Sequence, residues 1–290
     1  MGLGNKDVMA VARLRKEGFF RGPSTVVEIG AQQMSGPMFE EMSWRDACAE
    51  AFGVERRNFE GVPNGPLAHG ELGGLSPAAP RSKEFWEWLG FNYASVDVDG
   101  SPGAIPLDLN FAETPVNMIG KAALITNCGT TEHIANQVNA FKVIHEMTAV
   151  NGVMLHNLPA QGYMVHGLFN YNPKFFWVLS AANGYKWLFA DYVQSTVSYP
   201  LSPDILGEIT RFDATSPERT KGYRFADAGL FVVMQKLYDL PFVPPIDVPT
   251  GTKTDIAELK ERYWTIFDSE RFHALIEKLE AAKVEKAAKP

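Results

Sequence analysis

A chain of 290 residues, 46% apolar and 21% charged, can bury a substantial core without disulfides or a structural metal, and is not a disordered segment. Its net charge of −7, with no long Lys/Arg run, argues against nucleic acid as a partner, because phosphate binding needs a basic face. The two cysteines, Cys48 and Cys128, form no C-x-x-C and suit a reducing cytoplasm, which is the expected location. No membrane association is expected either: the first 20 residues lack the apolar core of a signal peptide, and the apolar run at 229–238 is too short to span a bilayer.

In chain order, residues 5–19 read as an amphipathic helix and 25–29 as a strand running into Gly30. Residues 37–52 read as a helix with Phe39, Met42, Ala49 and Phe52 along one side. A Gly/Pro-rich insertion at 53–80 follows; loops of that length tend to be lids or binding segments, although its His69 reads equally as a solvated loop residue. A short helix at 82–89 leads to strands at 93–97 and 104–107, then a clearer strand at 121–127. The next helix is expected over 132–149, with Ile134, Val138, Phe141 and Ile144 on its buried face and Gly152 stopping it. A strand at 153–157, a helix at 173–182 and strands at 185–193 and 229–237 complete the pattern, before a charged helical tail from about Asp255.

Seven strands alternating with helices predict an α/β fold: a doubly wound, Rossmann-like, mostly parallel seven-stranded sheet with helices on both faces. Residues 1–23 form an N-terminal helical segment, 24–245 the α/β domain and 246–290 the tail. In such sheets ligands bind beyond the carboxyl ends of the strands. Residues of chemical interest cluster there: Glu28 and Gly30 after the first strand, Asp97 and Asp99 after the second, Asp108 after the third, 127–133 after the fourth and Asn157 after the fifth.

The first turn reads GAQQMSG, not the G-x-G-x-x-G of a dinucleotide site, and no strand is followed by G-K-[ST], which excludes a P-loop. The runs VVEIGAQQMSG, YASVDVDG, IPLDLN and ALITNCGTTEH, with TNCGTTEHIANQVNAF as the best single piece, resemble the successive motifs of class I S-adenosylmethionine-dependent methyltransferases of the small-molecule branch. The resemblance covers roughly residues 24–193 and continues in HNLPAQGYMVHGLFNYNPKFF. It implies S-adenosylmethionine as cofactor, with Glu28 and Gly30 at its methionine end and Asp97 accepting from both ribose hydroxyls. Asp99 can be aligned in place of Asp97. Asp108 would accept from the adenine amino group with Leu109 beside it, and Asn127, Cys128 and Gly129 would line the cofactor. Where the family's first motif has three alternating glycines, this chain has Gln32 and Met34, whose side chains would crowd the cofactor unless the loop is shaped differently.

Methyl transfer needs in-line positioning and, for a hydroxyl or amine acceptor, proton removal. His133, at the expected start of the helix after the fourth strand, is a candidate general base or else a capping histidine, and Glu132 is a candidate first-turn charge. His166, Asn170 and Tyr171 are candidates for an acceptor pocket, with His166 a second catalytic candidate; His156 and Asn157 are further substrate candidates. His145 falls on an apolar helix face and reads as a core histidine. The histidines share no H-E-x-x-H-like spacing, so no metal site is expected. The partner is a small molecule of unspecified identity, and the oligomeric state, including a homo-oligomer, stays open. Two other readings share the fold: attack at another carbon of the cofactor, releasing methylthioadenosine, and a non-catalytic binding protein.

Overall fold

The computed structural model describes residues 2–34, 43–59, 82–100, 103–163, 165–194, 197–201, 227–249 and 251–288. The segment 35–42, most of the Gly/Pro-rich insertion with His69, and 202–226 lie outside them, so the expectations placed there, including Phe39 and Met42 on a helix, concern undescribed residues.

In chain order the elements are α1 (Asn5–Lys16), β1 (Ser24–Ile29), α2 (Ser43–Phe52), α3 (Ser82–Trp88), β2 (Phe91–Asp97), β3 (Ile105–Pro106), β4 (Ala122–Cys128), α4 (Gln137–Met147), β5 (Thr148–Gln161), α5 (Pro173–Asn183), β6 (Tyr185–Gln194), β7 (Val197–Pro200), β8 (Ala228–Lys236), and the tail helices α6 (Ala257–Arg262), α7 (Trp264–Phe267) and α8 (Ser269–Ala288). The strands form one sheet in the order β3-β2-β1-β4-β5-β8-β6-β7. β1 to β5 pair in parallel, whereas β8 is antiparallel to both β5 and β6, and β7 is antiparallel to β6. The sheet is thus mostly parallel and doubly wound as expected, but it has eight strands: the short β7 carries too little pattern to be read from sequence.

Consecutive strand residues feed opposite cores. Val27, Ile29, Ile125 and Met154 pack against Phe141 and Ile144 of α4 and Phe176 of α5. Val26, Leu124, Val153 and Leu155 pack against Val8 and Leu14 of α1, Trp44 of α2, and Phe85 and Trp86 of α3. Burial on both faces is why these strands read as continuous apolar runs. A third cluster joins Ala182, Leu240, Val243 and Trp264 to Phe272 and Leu275 of the tail. Among the described residues no helix is long and apolar enough to cross a membrane.

Two boundaries differ from expectation. The helix after β4 begins at Gln137, because Thr131–His133 forms a separate 3-10 turn and Asn136 caps α4, its side chain accepting from the Asn139 amide. Ile134 therefore precedes the helix and Val138 is 53% exposed; the buried face is Ala140, Phe141, Val143, Ile144 and Met147. Gly152 does not stop a helix. α4 ends at Met147, β5 starts at once, and Gly152 lies where a Cβ would come within 2.7 Å of the Ala122 carbonyl oxygen, beside the register shift between Ala122 and Leu124.

The first turn of α1 docks on the sheet through Asp7. Its fully buried carboxylate accepts from the Gly4 amide at 2.7 Å, from Asn157 Nδ2 at 2.9 Å and from Cys128 Sγ at 3.7 Å. Burial raises its pKa from 3.8 to about 6, with these donors and Lys6 offsetting part of the rise. A raised folded-state pKa gives a contribution that is complete below the unfolded value and lost as pH rises through the folded one. Urea unfolding should therefore show stability falling between pH 3.8 and about 6, by up to about 3 kcal/mol at about 1.4 kcal/mol per pH unit. Asp7→Asn should flatten that part of the profile.

Candidate active site

The chain leaves β1 towards α2 and α3 on one face and leaves β4 towards α4 on the other, so the ends of β1 and β4 mark the point where the winding reverses. A cavity of about 410 Å³ opens there, bounded by residues 30–32, 96–98, 107–110, 129, 130, 133 and 134. Small-molecule sites occupy roughly 300–1,000 Å³. A slightly larger hollow of about 450 Å³, lined by Phe20, Arg21 and Asn151 among others, lies at the opposite, amino ends of the strands. Among the described residues, none of the loops that follow β1, β2 and β4 lines it.

Gly30 turns the chain out of β1 at φ +79°, and a Cβ there would lie 2.3 Å from Thr130 Oγ1, which donates to the Ile29 carbonyl at 2.6 Å. The Ala31 amide then donates to Asp97 Oδ2 at 2.9 Å, while Asp97 Oδ1 accepts from the Val98 amide at 2.7 Å. Asp97 is thus oriented by backbone on both sides and borders the cavity; Asp99 is exposed and does not. Asp108 also borders it, its carboxylate accepting from the Asn110 amide at 2.9 Å, beside the buried Leu109. Asn139 and Asn136 hold that loop, donating to the carbonyls of Leu109 and Asn110.

Gln32 and Met34 do not crowd the cavity. Gln32 is 4% exposed, contributing to the wall while its side chain contacts the Ile29 carbonyl and Thr126 Oγ1 at 3.5 Å, and Met34 is fully packed against Leu3 and its neighbours. The segment before α1 covers this loop, with the Leu3 amide donating to the Gln33 carbonyl at 2.7 Å.

Several expected site residues lie elsewhere. Glu28 is fully buried on the α3 side and accepts from Ser82 Oγ and Trp86 Nε1 at 2.6 Å, the Tyr93 hydroxyl at 2.8 Å and the Gln32 amide at 3.1 Å, with burial pushing its pKa up. Cys128 and Asn157 point to Asp7, and burial raises the Cys128 thiol well above its usual range. Asn127 is buried and donates to Thr131 Oγ1 at 2.8 Å, with His156 Nδ1 at 3.1 Å. His156 sits between Phe141 and Phe176, where burial lowers its pKa to about 3. Tyr171 is buried, its hydroxyl shared between Thr131 and Gln137, and Asn170 donates to the Gly162 carbonyl on the surface. Of Asn127, Cys128 and Gly129, expected to line the cofactor from the fourth strand, Gly129 alone borders the cavity. His145 is a core histidine: it bonds the Tyr185 hydroxyl and the Leu240 carbonyl, and burial lowers its pKa to about 4.

His133 borders the cavity, at the end of the 3-10 turn and not on a helix. His166 joins it from the loop after β5, the two rings meeting edge to face with centroids 5.0 Å apart. Between them, Glu132 is no helix-dipole charge but a side chain with no exposed surface, its Oε1 lying 3.3 Å from His166 Nε2 and 3.8 Å from His133 Nε2. Burial raises the Glu132 pKa and lowers that of His133, which the neighbouring His166 lowers further.

No family model and no curated protein matches the chain. Solved structures similar to it include the Burkholderia thailandensis 1,6-didemethyltoxoflavin-N1-methyltransferase with bound 1,6-didemethyltoxoflavin and S-adenosylhomocysteine (10% identity, 79% of this chain and 78% of that one, TM-score 0.41). A SAM-dependent methyltransferase from Archaeoglobus fulgidus (10% identity, 80% and 94%, TM-score 0.42) and the [4+2]-cyclase SpnF (9% identity, 80% and 81%, TM-score 0.42) are similar to the same extent. At such identities and scores the site rests on the chain's own residues.

Sequence reading missed Thr130, Asn110 and Ile134 as cavity residues and Glu132 as the partner of both histidines. A signal existed for the first three, since all follow strand ends. The burial of Glu132 depends on a loop more than thirty residues later.

Proposed function

We propose that the chain is an S-adenosylmethionine-dependent methyltransferase acting on a small-molecule acceptor. The observation that carries the reading is the cavity at the winding reversal, where the carboxylates of Asp97 and Asp108 share one wall with the apolar Val96, Leu107 and Leu109. A nucleoside offers a diol, an amino group and a flat apolar face, and these two acceptors and the apolar wall suit all three. A carboxylate has about four acceptor positions; backbone amides occupy one on each oxygen of Asp97, leaving acceptors for a pair of hydroxyls. Asp108 keeps an oxygen for an amino group. When bound, the cofactor supplies an electrophilic methyl carbon on a sulfonium, which needs no further activation. Gly129 and Thr130 border the β4 end of the cavity, and His133 brings the Glu132/His166 group to its border, where a polar acceptor would be oriented.

Met34 packs into the core and Gln32 is 4% exposed in the cavity wall, which supports room for a cofactor there. Calorimetry with S-adenosylmethionine should give one site per chain, competed by S-adenosylhomocysteine. Incubation with methyl-labelled cofactor and a panel of small hydroxyl and amine acceptors should release S-adenosylhomocysteine in step with label transfer. Absence of binding overturns the proposal, and release of methylthioadenosine would assign attack at another carbon.

A further inference from the structure

Glu132, His133 and His166 are the group of side chains among the described residues whose ligand atoms converge as a metal site requires: one carboxylate oxygen and two imidazole nitrogens, all within 4.8 Å of one another. Zinc binds imidazole nitrogen at about 2.0–2.1 Å and carboxylate oxygen at about 2.0–2.2 Å, so ligand atoms at a tetrahedral ion stand about 3.3–3.5 Å apart. The two separations, 3.3 Å from His166 and 3.8 Å from His133 to the same Glu132 oxygen, lie at and just above that spacing. The excess lies at His133, whose side chain is half-exposed.

A second observation points to a ligand. The Glu132 carboxylate has no exposed surface, and its Oε2 finds no hydrogen-bond partner. A buried carboxylate is costly without a countercharge or donors, and here its neighbours are two imidazoles that can face it as donors or face a cation as ligands. The backbone is also built to hold the arrangement. The amides of Leu168 and Phe169 both donate to the Glu132 carbonyl, at 2.7 and 3.2 Å. Gly167, at φ +74°, lies so close that a Cβ would come within 2.8 Å of Glu132 Cγ. The loop carrying His166 is thereby fastened onto Glu132.

We propose that Glu132, His133 and His166 bind a zinc-class divalent cation at the border of the methyl-transfer cavity, and that its open position takes an oxygen of the acceptor. Two histidines and one carboxylate with a free position is a donor set of catalytic zinc sites. The role assigned to the ion rests on the methyltransferase reading; the binding does not. The cation polarises the acceptor hydroxyl, which loses its proton to solvent. The oxygen lone pair then forms the bond to the methyl carbon, the carbon–sulfur bond breaks, and its electron pair stays on sulfur.

The test is titration of the full chain, stripped of metal, with Zn²⁺ by calorimetry and with Co²⁺ by visible absorption. One ion per chain is expected, with the intense ligand-field bands of low-coordinate cobalt. Glu132→Gln and His166→Ala should each weaken binding more than about 100-fold, since even outer-shell changes cost about 10–100-fold. His273→Ala, in the exposed tail helix, should leave it unchanged. Each variant is also titrated with S-adenosylhomocysteine, which should bind as in the unaltered chain and so reports folding. No stoichiometric ion, or binding insensitive to His166→Ala, overturns the site while leaving the methyltransferase reading in place. A bound ion in a chain that does not bind S-adenosylmethionine overturns that reading and leaves the site.

Discussion

Asp97→Ala is expected to weaken S-adenosylmethionine binding by at least about 100-fold, measured by calorimetry, with little change in melting temperature. A hydrogen bond to a charged group contributes about 1.5–3 kcal/mol, and about 1.4 kcal/mol is a factor of ten in affinity. Two hydroxyls on one carboxylate therefore account for two decades or more. The variant also releases the Ala31 amide, which donates to Asp97 Oδ2 at 2.9 Å, but the Gly30 amide still ties the turn after β1 to the Val96 carbonyl of β2 at 2.8 Å. Asp97→Asn keeps an acceptor for that amide but only one neutral oxygen, and should retain an intermediate affinity. Asp99→Ala is the control that separates the two aspartates left open by the sequence: Asp99 is exposed and outside the cavity, so its removal should leave affinity unchanged. A full effect at Asp99 and none at Asp97 would reverse the assignment.

What the sequence made legible follows from what its pattern encodes. β1 and β4 were readable because both faces of each are buried, giving short apolar runs that stop at Gly30 and Gly129, while β2, with Asn92 exposed and Tyr93 and Ala94 half-buried, was readable from its alternation up to Asp97. Those stops are backbone events, so positions at or just beyond them, such as Asp97, Asp108 and Gly129, were legible as candidates, and all three border the cavity. Strand direction beyond β5 was not readable, because β8 inserts between β5 and β6 from more than thirty residues downstream of β6. Which way the side chains on the strands themselves point was not readable, for a related reason. Proximity to a strand end says nothing about which face a side chain takes. Cys128 and Asn157 face α1 through Asp7, and His156 faces Phe141 and Phe176, although Cys128 ends β4 and His156 and Asn157 pair with Asn127 and Cys128 across the sheet. Glu132 was read from its neighbours in sequence as a helix-end charge, whereas its chemistry is set by His166 across the fold.

Glu28 shows the same distinction with the largest expected effect on stability. Glu28→Leu should lower the unfolding free energy by roughly 2–6 kcal/mol, because each buried donor left without a partner costs about 1–3 kcal/mol. Four donors converge on this carboxylate, but they are not equally stranded by its loss. Ser82 Oγ also reaches the Gln32 carbonyl at 2.9 Å, and Tyr93 is partly exposed, so both hydroxyls retain alternatives. The indole N–H of Trp86, on a fully buried side chain, and the Gln32 amide have no such recourse. Against a typical total of about 5–15 kcal/mol the variant would be marginal. Pairing it with Trp86→Phe removes one stranded donor, so urea unfolding of the double variant should show less than the sum of the two single losses. Glu28→Gln, which keeps the shape and one acceptor, should fold with reduced stability and bind S-adenosylmethionine as the unaltered chain does, because Glu28 does not border the cavity. A Glu28→Gln protein of undiminished stability but lost affinity would return this residue to the cofactor.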